Sequence, residues 1–359
     1  MLQDILLLTK TFIKIPSVAG NHIEMNKILD IIKTELQDFP FLFFESNSHP
    51  SLLYSNQDKA TKQFDIILNA HVDVVPAQPQ QFFPYEKDGK LYGRGAKDMK
   101  AASAVMILLF KELAKELNYS LGLQIVTDEE PGGLDGTGYQ VGQGTKGKFI
   151  ICGEGTDLVI IHKAKARMLI KLSTTGKSAH SAYPWKGENA IMKMHKALAS
   201  IFHVYPTPEK ESEETIVTVT AFNTENITYN KIPEECTAYI DIRFVPNEKD
   251  SIIDKIKSLL PETIYMEVIF KFFPHDTSSN NKYLQLLEHE GKKICPERLQ
   301  LGMAHGASDA GFYSEVDCGS IEFGPIGSNH HAIDEWVDIQ SISDYYHILK
   351  NFLLSVPML

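Results

Sequence analysis

The chain has 359 residues, room for two domains at roughly 150 residues each. Its 43% hydrophobic and 23% charged residues exclude a disordered chain and describe a folded, core-forming one. Asp plus Glu number 46 against 35 Lys plus Arg, a net charge of −11 spread without a block of like charges, so neither nucleic acid nor an anionic membrane is an expected partner. The longest apolar run, 104–110, is far shorter than the about eighteen residues of a spanning helix, and the N-terminal stretch reads as an amphipathic helix rather than a leader. The expected location is the cytoplasm. Cys152, Cys236, Cys295 and Cys318 stand at wide, irregular spacings, which fits packing residues and neither a disulfide framework nor a thiolate zinc cage.

Ile5, Leu8, Phe12 and Ile13 recur at helical spacing up to Pro16, and Met25, Ile28, Leu29, Ile32 and Leu36 repeat the pattern, so two helices open the chain. A strand at 66–70, a helix over 99–117 and strands at 121–127 and 149–152 follow; a strand at 320–323 and a helix over 339–354 come late. That alternation is the α/β signature. Between these parts the pattern changes to strand 167–175, helix 189–202, strands 215–222 and 236–244, helix 251–260 and strand 264–272. The order β-α-β-β-α-β is that of the ferredoxin-like split βαβ sandwich, so 164–273 reads as a domain inserted into one formed by 1–163 and 274–359.

In open α/β sheets, sites lie beyond the carboxyl ends of the strands. Here strand 66–70 runs into His71-Val72-Asp73, strand 121–127 into Asp128-Glu129-Glu130 and strand 149–152 into Gly153-Glu154. Asp98 follows the glycine-rich Gly93-Arg94-Gly95, and strand 320–323 leads through a loop to His330-His331. Taken singly, each is more simply a surface pair, a solvated acid or a helix cap. Together, carboxylates gathered at one sheet edge raise each other's pKa unless a cation neutralises them. Two histidines with several carboxylates form a mixed N/O donor set that suits zinc, with cobalt or manganese as substitutes. The set is too large for one tetrahedral ion; a two-metal site with Asp98 as the bridging carboxylate accounts for it, and a position left open for water makes such a site catalytic.

The strings NAHVDVVP, DGKLYGRGAKDMKAA, TDEEPGG, GKSAHSAYPWKGENAI, NKIPEECTAYIDIRF, GASDAGF and FGPIGSNHHAIDEWV resemble the family of acetylornithine deacetylase and succinyl-diaminopimelate desuccinylase, over nearly the whole chain. The resemblance implies a zinc-peptidase-type catalytic domain, helices around a mixed, largely parallel sheet, with an inserted ferredoxin-like lid and dimerisation domain. It implies two zinc ions, one held by His71 and Glu154, the other by Glu130 and His331, with Asp98 between them. His331 is preferred to His330 because the family pattern places a Glu four residues on, where Glu335 stands. Asp73 would orient His71, and Glu129 would be the general base that takes a proton from water and returns it to the leaving amine. His180 would stabilise the oxyanion, Arg243 and Asn230 would bind substrate, and a homodimer would form through the helix over 189–202 and a neighbouring strand. The implied reaction is hydrolysis of the amide bond of a small N-acyl amino acid or dipeptide-like substrate. In desuccinylases an Arg follows Ser-Asp-x; here Gly311 follows Ser308-Asp309-Ala310, which weakens the desuccinylase reading, so a deacetylase-like enzyme is expected, with a desuccinylase, dipeptidase or carboxypeptidase of the same family as the alternative. An inactive binding scaffold is disfavoured because every ligand and Glu129 are present. A two-metal phosphoesterase would want more cations than Arg94, Lys97 and Lys100 nearby.

Overall fold

The computed structural model of the protein describes residues 1–358. Two compact units emerge: Met1–Lys163 with His275–Met303 and the chain from Ser308, and Ala164–Pro274 with Ala304–Ala307.

The first unit is built on a nine-stranded sheet. Its middle is four parallel strands in the order Leu121–Val126, Gln63–His71, Lys146–Cys152 and Gly319–Glu322. Ile66, Ile67, Leu68, Leu123, Ile125, Ile150 and Ile151 have no exposed surface, as expected of strands covered on both faces. Helices Leu2–Ile13, Ala101–Leu113 and Ile339–Ser355 bring their apolar residues into the same core. Helix His22–Glu35 starts where the Asn21 side chain accepts the Glu24 N–H, a cap that satisfies one of the free donors of the first turn. The helix read over 99–117 is shorter, because Asp98 and Met99 have non-helical backbone angles and the regular helix begins only at Ala101.

The parallel core has antiparallel flanks that pattern alone did not disclose. Phe41–Ser46 and His49–Ser55 form a hairpin whose two-residue loop, Asn47 (φ 45°) and Ser48 (φ 65°), is left-handed at both positions. Hairpins of this kind are normally signalled by Asn-Gly or Asp-Gly, and Asn-Ser carries no such signal. A second small sheet joins Tyr85–Lys87, Lys90–Tyr92, Trp336–Asp338 and Gly327–Ser328.

In the second unit the sheet order is Ile216–Asn223, Glu235–Phe244, Ala166–Thr175, Tyr265–Lys271, with every neighbour antiparallel. This is the ferredoxin-like arrangement. Met168, Ile170 and Leu172, and Ala238, Ile240 and Ile242, alternate with half-buried neighbours and pack with Met194, Ala197 and Ile201 of helix Ala190–Val204 and Ile252 and Ile256 of helix Ile252–Ser258.

Candidate metal centre

The candidate site residues gather at the carboxyl ends of the parallel strands. His71 is the last residue of its strand, Glu129 and Glu130 stand three and four residues after Val126, and Glu154 two residues after Cys152. Asp98 comes from the irregular loop before helix Ala101–Leu113, and His331 from the loop leading to Trp336–Asp338. His331 is held at φ 64°, in the left-handed region that few non-glycine residues adopt.

Asp98 is the hub. One carboxylate oxygen lies 3.1 Å from Nε2 of His71 and the other 3.2 Å from Nε2 of His331. His331 Nε2 is also 3.2 Å from Glu130, while His71 Nε2 is 3.8 Å from Glu154 and 3.9 Å from Glu129. Two groups follow, His71 with Asp98 and Glu154, and Asp98 with Glu130 and His331, each offering three ligand atoms within 4.8 Å of one another. Glu129 belongs to neither. His330 packs its ring 5.3 Å from that of His331 and joins neither group.

Asp73 does two jobs. The Nδ1 of His71 faces the Asp73 carbonyl at 3.2 Å and its carboxylate at 3.5 Å. The same carboxylate accepts the backbone N–H groups of Glu129 at 3.3 Å and Glu130 at 3.0 Å. It therefore sets both the imidazole and the turn that presents the two glutamates, a role in the glutamate turn that spacing alone did not show.

The electrostatics are those of acids awaiting a cation. Burial, and then the charges of its neighbours, pushes Glu130 up to about 7; burial reinforced by Glu154 drives Glu129 well above the usual carboxylate range, and burial does the same to Glu154. Asp98 goes the other way, because its bonds to His331 and His71 outweigh its burial. Burial alone would lower His71, but Asp73 and Asp98 hold it well above the ordinary imidazole value. A buried oxygen of Glu154, Oε1, has no hydrogen-bond partner among the described residues, and such an orphan costs about 1–3 kcal/mol or more. A divalent cation would answer both features, so the donor set fits metal. His71, Asp98 and Glu154 would hold one ion and Asp98, Glu130 and His331 the other.

Two buried acids near the cluster were given no role by the sequence reading, Asp309 entering it only as part of a motif string and Glu322 not at all. Asp309 accepts the Thr137 hydroxyl at 2.6 Å and Glu322 that of Ser308 at 2.7 Å; burial pushes each up to about 7. Glu322 ends a parallel strand, and that position was its only signal.

The remaining candidates lie on the second unit. His180 is exposed, and its Nδ1 accepts the Ala182 N–H at 3.1 Å. Asn230 is exposed and its carbonyl accepts the Ser181 N–H at 2.8 Å, so it is the neighbour of the His180 turn. Arg243 donates to Asp241 at 2.7 Å, and Arg167 donates to the other oxygen of the same carboxylate at 2.7 Å. Two guanidinium groups thus share one carboxylate, one positive charge more than that carboxylate balances.

A family model described as "Peptidase family M20/M25/M40" matches residues 67–355. The chain belongs to this family. Among curated relatives, the succinyl-diaminopimelate desuccinylase of Beijerinckia indica subsp. indica is 29% identical over 320 residues, 80% of this chain and 82% of that one. The enzyme of the same name from Pelagibacter ubique is 28% identical, with 96% and 98% of the two chains covered. The M20 fold is likewise shared with solved structures: a tripeptidase from Staphylococcus aureus (TM-score 0.81, 18% identity, 100% and 99% covered) and an M20 family metallo-carboxypeptidase from Sulfolobus solfataricus (TM-score 0.78, 17% identity, 99% and 100% covered). As an M20 member the protein is a hydrolase acting on amide bonds, and no helix among its described residues is long and apolar enough to cross a membrane.

Proposed function

We propose that the protein is a two-zinc deacylase that hydrolyses the amide bond of a small N-acyl amino acid, in the manner of acetylornithine deacetylase. The observation that carries the reading is the pair of three-ligand groups sharing Asp98, with Glu129 beside them and outside both. Bound zinc would supply Lewis-acid polarisation of a carbonyl and acidification of water.

The chain's own residues supply the rest. Glu129 is free of ligand duty and takes and returns the proton; burial and a neighbouring acid raise its affinity for that proton, as a general base working near neutrality requires. His180 is assigned as the oxyanion donor. Because its Nδ1 accepts a backbone N–H, the neutral ring carries its proton on Nε2, on an exposed side chain. Arg243, in excess of the charge on Asp241, is assigned to the substrate carboxylate, which a guanidinium grips with two parallel bonds, with Asn230 in the same binding set. The second unit is assigned as lid and dimer interface, through helix Ala190–Val204 and the edge strand Ile216–Asn223.

The names of the curated relatives favour a second reading, succinyl-diaminopimelate desuccinylase. Against it, Gly311 offers no guanidinium to a succinyl carboxylate at the position where desuccinylases resemble one another. The zinc-loaded protein assayed side by side on N-acetyl amino acids, N-succinyl-diaminopimelate and dipeptides decides between them. Amine release from the acetyl substrates, abolished by a chelator, is the expected result. Turnover confined to the succinyl substrate or to dipeptides would overturn the deacetylase reading.

A further inference from the structure

We infer that Glu335 is a positioning residue that fixes Asp98 against His331, so that one buried carboxylate sets the spacing between the ligand shared by both ions and a second ligand of one of them. The inference rests on the reading of Asp98, Glu130 and His331 as ligands.

The loop 95–98 cannot satisfy its own backbone. Gly95 is left-handed at φ 81°, and a Cβ there would stand 2.8 Å from Val74 and 2.9 Å from Lys100, so the chain turns sharply in a crowded place. Asp98 and Met99 are not helical. Several N–H groups are therefore left in the interior without a ladder partner. Glu335, 1% exposed, takes three of them: its Oε2 accepts the Gly95 N–H at 3.0 Å, and its Oε1 accepts those of Lys97 at 2.9 Å and Asp98 at 3.1 Å.

The fourth donor makes the clamp two-sided. Arg94 donates through Nη1 to Glu335 Oε2 at 2.6 Å and through Nη2 to the carbonyl of Ala332 at 3.1 Å, and the Gln81 amide donates to that carbonyl at 2.9 Å. Ala332 is the residue after His331. One buried ion pair thus grips the backbone of Asp98 with its acid and the backbone beside His331 with its base. The two side chains it serves meet at 3.2 Å. Groups one step removed from a metal typically change its affinity 10- to 100-fold when lost.

Glu335→Gln tests this with almost no change of shape. Whichever way the carboxamide turns, its NH2 group faces two donors, either Arg94 with Gly95 or Lys97 with Asp98. The probe is Co(II), titrated into metal-stripped protein and followed by visible absorption, with circular dichroism as a check of folding. The expected result is a folded variant whose Co(II) affinity falls about 10- to 100-fold and whose absorption bands shift. A folded variant with wild-type affinity and spectrum would overturn the proposal and leave Glu335 a purely structural latch. Should the Gln protein fail to fold, Arg94→Lys decides, since it keeps the charge beside Glu335 but loses the reach to Ala332. Weakened binding of one of the two Co(II) ions is expected there, and unchanged binding of both would overturn the clamp. Wild-type protein that binds no Co(II) would refute the ligand reading itself, a result separable from either variant outcome.

Discussion

Asp309→Asn should stabilise the metal-free protein at neutral pH. Asp309 is 2% exposed, its one described side-chain bond is from Thr137, and burial followed by the charge of Asp128 pushes its carboxyl from the ordinary 3.8 up to about 7. A group whose folded pKa is raised contributes stability that is present below its unfolded pKa and lost as pH rises through its folded pKa. For Asp309 that window runs from about 4 to about 7. At 1.36 kcal/mol per pH unit, the gap between 3.8 and about 7 corresponds to roughly 4 kcal/mol. Asn mimics the neutral acid and removes the loss, and it also relieves Glu129 and Glu154, whose carboxyls the charge of Asp309 helps to raise, a change in the same direction.

The assay is calorimetric melting of metal-stripped wild type and variant between pH 4 and pH 8. The two should melt together near pH 4 and diverge as pH rises, until the variant is ahead by on the order of 10 °C above pH 7. Added zinc should shrink the gap, because cations beside the acid favour its ionised form. A variant that tracks the wild type across the range, or melts below it at pH 8, would refute the electrostatic account of this acid.

Glu129→Gln should lower turnover by ~10² to 10⁴ with both metal ions retained, and a variant that loses zinc or keeps full activity would show that Glu129 is not the base. Asp98→Ala should lower the zinc stoichiometry measured by atomic absorption, and two ions kept per chain would remove Asp98 from between them. His180→Ala should cut turnover by the ~10² to 10³ of a lost oxyanion donor with zinc content unchanged, whereas normal kinetics would return His180 to an ordinary surface turn. Arg243→Lys should raise KM for substrates with a free carboxylate and leave their amidated analogues unaffected; equal loss on both would assign Arg243 to its bond with Asp241 alone.

The parts of the fold readable from sequence are those in which burial writes a period into the chain. The four parallel strands, covered on both faces, appear as short, mainly apolar runs, and the helices beside them repeat Ile, Leu and Phe at three and four residues. The strands of the second unit alternate cleanly because one face meets two helices and the other does not. Where those conditions fail, the signal fails. Phe41–Ser46 is an edge strand whose Phe41 and Phe43 are exposed, and the three-residue strands Tyr85–Lys87 and Lys90–Tyr92 are too short to carry any period.

The residues proposed as ligands were readable as candidates for a related reason: a residue placed just past a buried run has an address that the sequence displays. His71, Glu130 and Glu154 have such addresses, and Asp98 and His331 were found through motif strings. What holds them together has no address. Glu335 acts on residues 237 to 241 positions away in the chain, and Asp309 meets Thr137 across 172. Asp73 serves the Glu129 and Glu130 amides from just past the end of another strand. Side chains that bond backbone amides leave no type-specific mark on their partners, because every residue but proline carries the same N–H. The metal-facing atoms of such a site are therefore legible one residue at a time, whereas the distance between them belongs to the fold.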